Sequence, residues 1–259
     1  MTGWPLRLVV GGVVLGGLLQ GLAEAPASLL PWLLDQAQAP VRATAASGTL
    51  WSGSAELRWQ GGPVPPLSLG RWAWHPAWRG LFGPGLALAN NTGPMLANGM
   101  LAPGLGNLRL LALDASLPAT LIPAGWATWD LLHGEGNIVL HSEALTLDHQ
   151  GLTGHADLTW RDAAIAQSAV RPLGSWHLDV LANGEEGLFR IDTLGGPLHL
   201  DGQGRYALDG RYSLQGRARA EPAVQADLAP LLQTLGPTAS DGSVALNIPW
   251  PVTQLKTGR

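Results

Sequence analysis

The sequence predicts a mainly β protein: an N-terminal transmembrane helix followed by a curved, largely antiparallel β-sheet with a few short helices, and with room for a division into two halves. Three observations carry this. Residues 8–23 form one apolar run, LVVGGVVLGGLLQGLA, interrupted only by Gln20. Further along, apolar and polar residues alternate with a period of two, the pattern of strands with one buried and one wetted face. Finally, 35 glycines and 20 prolines accompany an apolar share of 46% in a chain of 259 residues. That combination describes a folded, turn-rich chain and not a disordered one.

The apolar run is assigned as a transmembrane helix over residues 8–24, with Leu8, Val9, Val10, Val13, Val14, Leu15, Leu18 and Leu19 as its lipid-facing anchor. Sixteen residues at 1.5 Å per residue span about 24 Å, slightly less than a hydrocarbon core of about 30 Å. Trp4 and Leu6 extend the segment, and Arg7 with the terminal amine favours a cytoplasmic tip at residues 1–7. The alternative is a cleaved signal peptide, for which "AEA" at 23–25 has the small-x-small form. Length and glycine content favour the anchor, and both readings export the remainder.

Residues 25–46 are read as a helical linker. In "APASLLPWLLDQAQAP", Ser28 is the expected cap, Leu29, Leu30, Leu33 and Leu34 make a stripe, and Pro40 ends it. A β-domain is expected over 47–259. Its first strand is placed at 46–60, "ASGTLWSGSAELRWQ", where Thr49, Trp51, Gly53, Ala55, Leu57 and Trp59 fall on one side. The same alternation recurs through Leu152, Ala156, Leu158 and Trp160, through Trp176, Leu178 and Val180, and through Tyr206, Leu208, Tyr212 and Leu214. "NGEEG" (183–187) and "LGGP" (194–197) are turn signals between these strands, as expected for an antiparallel meander. The glycine- and proline-rich stretch 90–107 is read as a long loop and a candidate subdivision. Helical interruptions are predicted at 116–132 and at 221–236, the latter with Pro222 near its start and Gly236 at its end.

Composition excludes several functions. Only 13% of residues are charged, the net charge is −4, and no basic patch occurs, so nucleic acid is not an expected partner. With no cysteine, disulfides, thiolate metal sites and thiol nucleophiles are excluded. No nucleophile elbow, phosphate loop, dinucleotide fingerprint or H-E-x-x-H motif is present, so no catalytic residue and no cofactor are expected. Of the seven histidines, His133, His141 and His149 are evenly spaced, and His155, His177 and His199 take polar strand positions. No H-x-H occurs, and solvated histidines rather than metal ligands are expected.

Twelve tryptophans stand against two phenylalanines. Exposed coplanar rings would suit a sugar-binding module, whereas Trp51, Trp59, Trp160 and Trp176 take the apolar positions of their strands, where they would fill a core. In "RWAWHPAW", Trp72 and Trp74 share a side and Trp78 follows Pro76.

In order along the chain, "SGTLWSGSAELRW", "GRWAWHPAWRGLFGPGLAL", "LTGHADLTWRDA", "LGSWHLDV", "GGPLHLDGQGRYALDGRYSLQGRARAEP" and "LLQTLGPTASDG" resemble the type II secretion system protein N family, also called general secretion pathway protein N. On this resemblance Gly48, Trp51, Gly53, Trp59, Trp72, Trp74, Trp160 and Trp176 are family-motif and core positions. The resemblance implies a non-enzymatic accessory component of the bacterial type II secretion system. It would be a single-pass inner-membrane protein with a cytoplasmic N-terminus, whose periplasmic β-domain contacts other secretion components. The family also looks similar to curved periplasmic sheets with an apolar inner face, which leaves lipid as an alternative partner.

Overall fold

The computed structural model describes residues 24–60, 66–78, 83–121, 134–208 and 211–249. The predicted transmembrane segment, with its anchor residues Leu8 to Leu19, lies outside the described residues. Among the described residues no helix is long and apolar enough to cross a membrane.

After a 3₁₀ turn at Ala27–Leu29 and a short helix α1 (Leu30–Gln36), strands follow one another: β1 Val41–Gly48, β2 Gly53–Trp59, β3 Leu67–Trp78, β4 Pro84–Asn90, β5 Leu96–Pro103, β6 Leu108–Pro118, β7 Gly134–Asp148, β8 Gly151–Ile165, β9 Gly174–Gly184, β10 Glu186–Gly195, β11 Leu198–Ala207 and β12 Tyr212–Ala220. Helix α2 (Gln225–Leu235) separates β12 from β13 (Ser243–Ile248). The thirteen strands form one open antiparallel sheet in which each strand pairs with the next in sequence.

Several expectations are corrected. The stretch 46–60 is a hairpin and not one strand. Gly48 has φ 89°, and a side chain there would collide with the Ser52 carbonyl, so the chain reverses at this glycine. Thr49 N–H donates to Ser52 O at 2.8 Å and Ser52 N–H to Thr49 Oγ1 at 3.0 Å, which closes the turn. Within 25–46, α1 stops at Gln36 and β1 starts at Val41. The expected loop at 90–107 contains β5, which pairs with β4 on one side and β6 on the other. The helix expected at 116–132 begins instead as the end of β6 and a 3₁₀ turn at Ala119–Leu121; its remainder lies outside the described residues. Ser28 makes no capping hydrogen bond. The helix predicted at 221–236 is present, and Gly236 N–H bonds back to Leu232 O.

Register pairing carries the apolar positions from strand to strand across several bulges, so one face of the sheet is mainly apolar. Leu86, Leu101, Leu110 and Leu145 are successive partners on β4 to β7. Leu140, Leu158, Leu178 and Ile191 are successive partners on β7 to β10. The two ends of this face are covered by the two helices. At the first, Ala27, Leu30 and Leu34 pack on Ala43, Ala55 and Trp74. At the other, Leu228 and Leu232 of α2 pack with Ala218, Val244, Leu198 and Trp176. Burying each of those two leucines contributes about 1.5–3 kcal/mol, which holds an 11-residue helix too short to be stable alone. Between the ends the leucine rows are half-exposed, and the adjacent register pair Leu108–Leu147 is 38% and 49% exposed.

Candidate functional site

The predicted motif tryptophans divide by position. Trp74 and Trp176 are buried, and Trp59, Trp72 and Trp160 are half-buried. A buried indole needs an acceptor for its N–H. Trp74 Nε1 donates to Thr49 O, Trp72 Nε1 to Leu69 O, Trp160 Nε1 to Glu135 O and Trp176 Nε1 to Leu198 O, at 2.9–3.2 Å. Gly53 lies beneath the Trp74 ring, where a Cβ would come within 2.9 Å of it. Gly48 and Gly53 therefore shape the β1–β2 hairpin and seat Trp74, whereas Trp51 sits in the turn itself, 42% exposed, and not on the apolar side of a strand. Trp78, at the end of β3, is 72% exposed.

The opposite face carries a buried apolar cluster of Met100, Ala102 and Leu111 over β5 and β6, and elsewhere it gathers ionisable groups that the sequence distributes over five strands. His141 on β7 is the register partner of Asp114 on β6, and its Nδ1 lies 2.6 Å from Asp114 Oδ1. That hydrogen bond, with smaller contributions from the charges of Asp114, Asp157 and Glu143, holds the imidazole pKa above the usual histidine value. On β8 and β9, Asp157 and Asp179 are direct register partners. The histidines beside them reach across diagonally: His155 Nε2 is 3.2 Å from Asp179 Oδ2, and His177 Nε2 is 3.3 Å from Asp157 Oδ1. On β11, His199 Nε2 lies 3.6 Å from Glu221 Oε1.

The polar positions of His155, His177 and His199 follow the sequence reading; their convergence on carboxylates was not anticipated there. The sequence signal for it is a recurring H-x-D unit, His155–Asp157, His177–Asp179 and His199–Asp201. In a strand, i and i+2 share a face, and antiparallel pairing of two such units sets each histidine diagonal to the other unit's aspartate.

A third feature is the outer edge of β13. Its first residues are covered: Thr238 bridges Val244, and Ala239 N–H donates to Ser243 O. Beyond Val244, nothing among the described residues pairs with that edge. The strand SVALNI carries no charge and no proline, the usual guards of an exposed edge. The other edge strand, β1, is blunted by a bulge at residues 44–47, where Ala45 has φ 50°, and by the packing of α1.

No curated protein and no solved structure matches the chain. Residues 39–247 do match a protein family, described as type II secretion system (T2SS), protein N. The matched segment runs from just before β1 to the penultimate residue of β13, so it takes in all thirteen strands and the α2 cover but not α1. The chain belongs to the type II secretion system protein N family.

Proposed function

We propose that this chain is a non-enzymatic accessory component of the type II secretion machine, held at the bacterial inner membrane by residues 8–24, with its sheet in the periplasm. The sheet docks on another secretion component through the unguarded half of β13. The family match supports the machine, and the uncharged edge beyond Val244, unpaired among the described residues, supports the mode of contact. Such an edge offers main-chain donors and acceptors to an added strand, and side-chain pockets on either face then give specificity. In cells lacking this chain, secretion of type II cargo is expected to fall, and the intact chain is expected to co-purify with other secretion components. Unchanged secretion, with no secretion component recovered, would refute the proposal.

A second reading rests on the half-exposed leucine rows between the helical covers, and on the Leu108–Leu147 pair above all. An apolar strip of this kind accepts acyl chains. Under this reading, lipid extracted from the detergent-free β-domain and identified by mass spectrometry is expected in stoichiometric amount; a lipid-free preparation contradicts it.

A further inference from the structure

The structure assigns a binding site for a divalent transition ion of the zinc class to His155, Asp157 and Asp179 on the polar face, with His177 as a positioning residue. One ligand atom from each of the first three lies within 4.8 Å of the other two. The four side chains come from two adjacent strands in unbroken register between Leu152–Gly184 and Trp160–Trp176, so the backbone fixes their separation.

Two arguments lead to a cation. The first is electrostatic. Asp157 and Asp179 face each other directly, and like charges at opposed positions oppose strand pairing. The His155 and His177 imidazoles approach these carboxylates diagonally, at 3.2 and 3.3 Å. Arg190 is the β10 register partner of Asp179, so its strand position stands beside only one of the two carboxylates. A divalent ion shared between them neutralises both.

The second argument is geometric. In a tetrahedral zinc site with bonds of about 2.0–2.1 Å, neighbouring donors stand about 3.4 Å apart. His155 Nε2 and Asp179 Oδ2 are already 3.2 Å apart. Asp157 lies against the other nitrogen of the ring, with Oδ2 3.7 Å from His155 Nδ1, and a donor atom of the three residues remains within 4.8 Å of the other two. The other Asp157 oxygen is 3.3 Å from His177 Nε2, which orients the carboxylate as outer-shell groups commonly do. An imidazole nitrogen among the donors favours zinc, nickel or copper; calcium and magnesium take larger all-oxygen sets. Three protein donors leave an open position. The side chains are about half exposed, so the ion has free access from solvent.

The test is calorimetric titration of the full chain with ZnCl₂ at neutral pH, repeated on variants checked for native circular dichroism. One equivalent is expected to bind. His155→Ala and Asp179→Asn are expected to weaken binding more than about tenfold, and His177→Ala about tenfold, the range seen for outer-shell partners. His199→Ala, which alters the same face two strands away, is expected to leave the isotherm unchanged, and a large excess of Mg²⁺ is expected not to displace the zinc. The imidazole resonances of His155 should shift on titration while those of His199 stay in place. Equal zinc affinity in wild type, His155→Ala and Asp179→Asn, or binding lost in His199→Ala instead, would overturn the assignment.

Discussion

Trp160 and Trp176 are register partners on β8 and β9, and their rings meet edge to face, with centroids 5.4 Å apart and planes at 69°. Each indole N–H reaches a carbonyl on the next strand or beyond, at Glu135 and Leu198 respectively. The pair ties β7 through β11 together beneath the cluster that α2 covers. Trp176→Ala is therefore expected to cost about 3–5 kcal/mol of stability, the range for deleting a large buried aromatic. Urea denaturation followed by far-ultraviolet circular dichroism measures it, and an unchanged midpoint would remove the pair from the core.

A second relationship concerns Phe189 and Gly204. They are direct partners on β10 and β11, and a Cβ on Gly204 would run into the Phe189 ring and the Ser213 carbonyl. Gly204→Ala is expected to destabilise by about 1–3 kcal/mol through overpacking. In a double-mutant cycle, Phe189→Ala should recover the part of that loss due to the ring. Full additivity of the two substitutions would mean that the ring does not lie over the glycine.

Helix α2 depends on two side chains. Leu228 and Leu232 are its buried residues, and Leu228 is fully enclosed. Leu228→Ala is expected to cost about 2–5 kcal/mol and to loosen the helix from β12–β13. Hydrogen exchange should show faster exchange across 225–235 first. Protection there equal to wild type would contradict this packing.

On the polar face, Asp114 raises the pKa of His141 by accepting its hydrogen bond. The folded-state value lies above the unfolded one, about 6.5. The stabilisation from this pair is then fully present below pH of about 6.5 and is lost as pH rises through the folded-state value. A nuclear magnetic resonance titration of His141 should give a midpoint above the ordinary value, and Asp114→Asn should lower it. A midpoint unaffected by Asp114→Asn would place the proton elsewhere.

How far the sequence carried the fold follows from the physics of each segment. From Leu152 to Val180, period-2 alternation located β8 and β9 and their apolar sides, because here one face is buried and the other wet, whereas the alternation read through Tyr206, Leu208, Tyr212 and Leu214 crosses from β11 to β12, with Leu208 57% exposed after the end of β11. Around 46–60 the same alternation runs unbroken through a turn, since Thr49 and Trp51 keep the phase while Gly48 reverses the chain; periodicity alone does not register a reversal between in-phase strands. Strand β5, LANGMLAP, was hidden by its asparagine, glycine and proline, which are usual loop formers, and it is held by pairing on both sides. The ionic cluster was legible only in part. The polar side of His155 and His177 is a property of one strand, but the opposition of Asp157 to Asp179 is a property of register between two, and a single strand's pattern does not state its partner's offset.

The most direct test of the account is a photo-crosslinking residue placed at Asn247, on the unguarded half of β13, in cells with an active type II system, with products identified by mass spectrometry. The account predicts a crosslink to another secretion component from Asn247 and none from the same residue placed at Arg42 on the bulged edge strand β1. Crosslinks confined to Arg42, or none to any secretion component from Asn247, would contradict it.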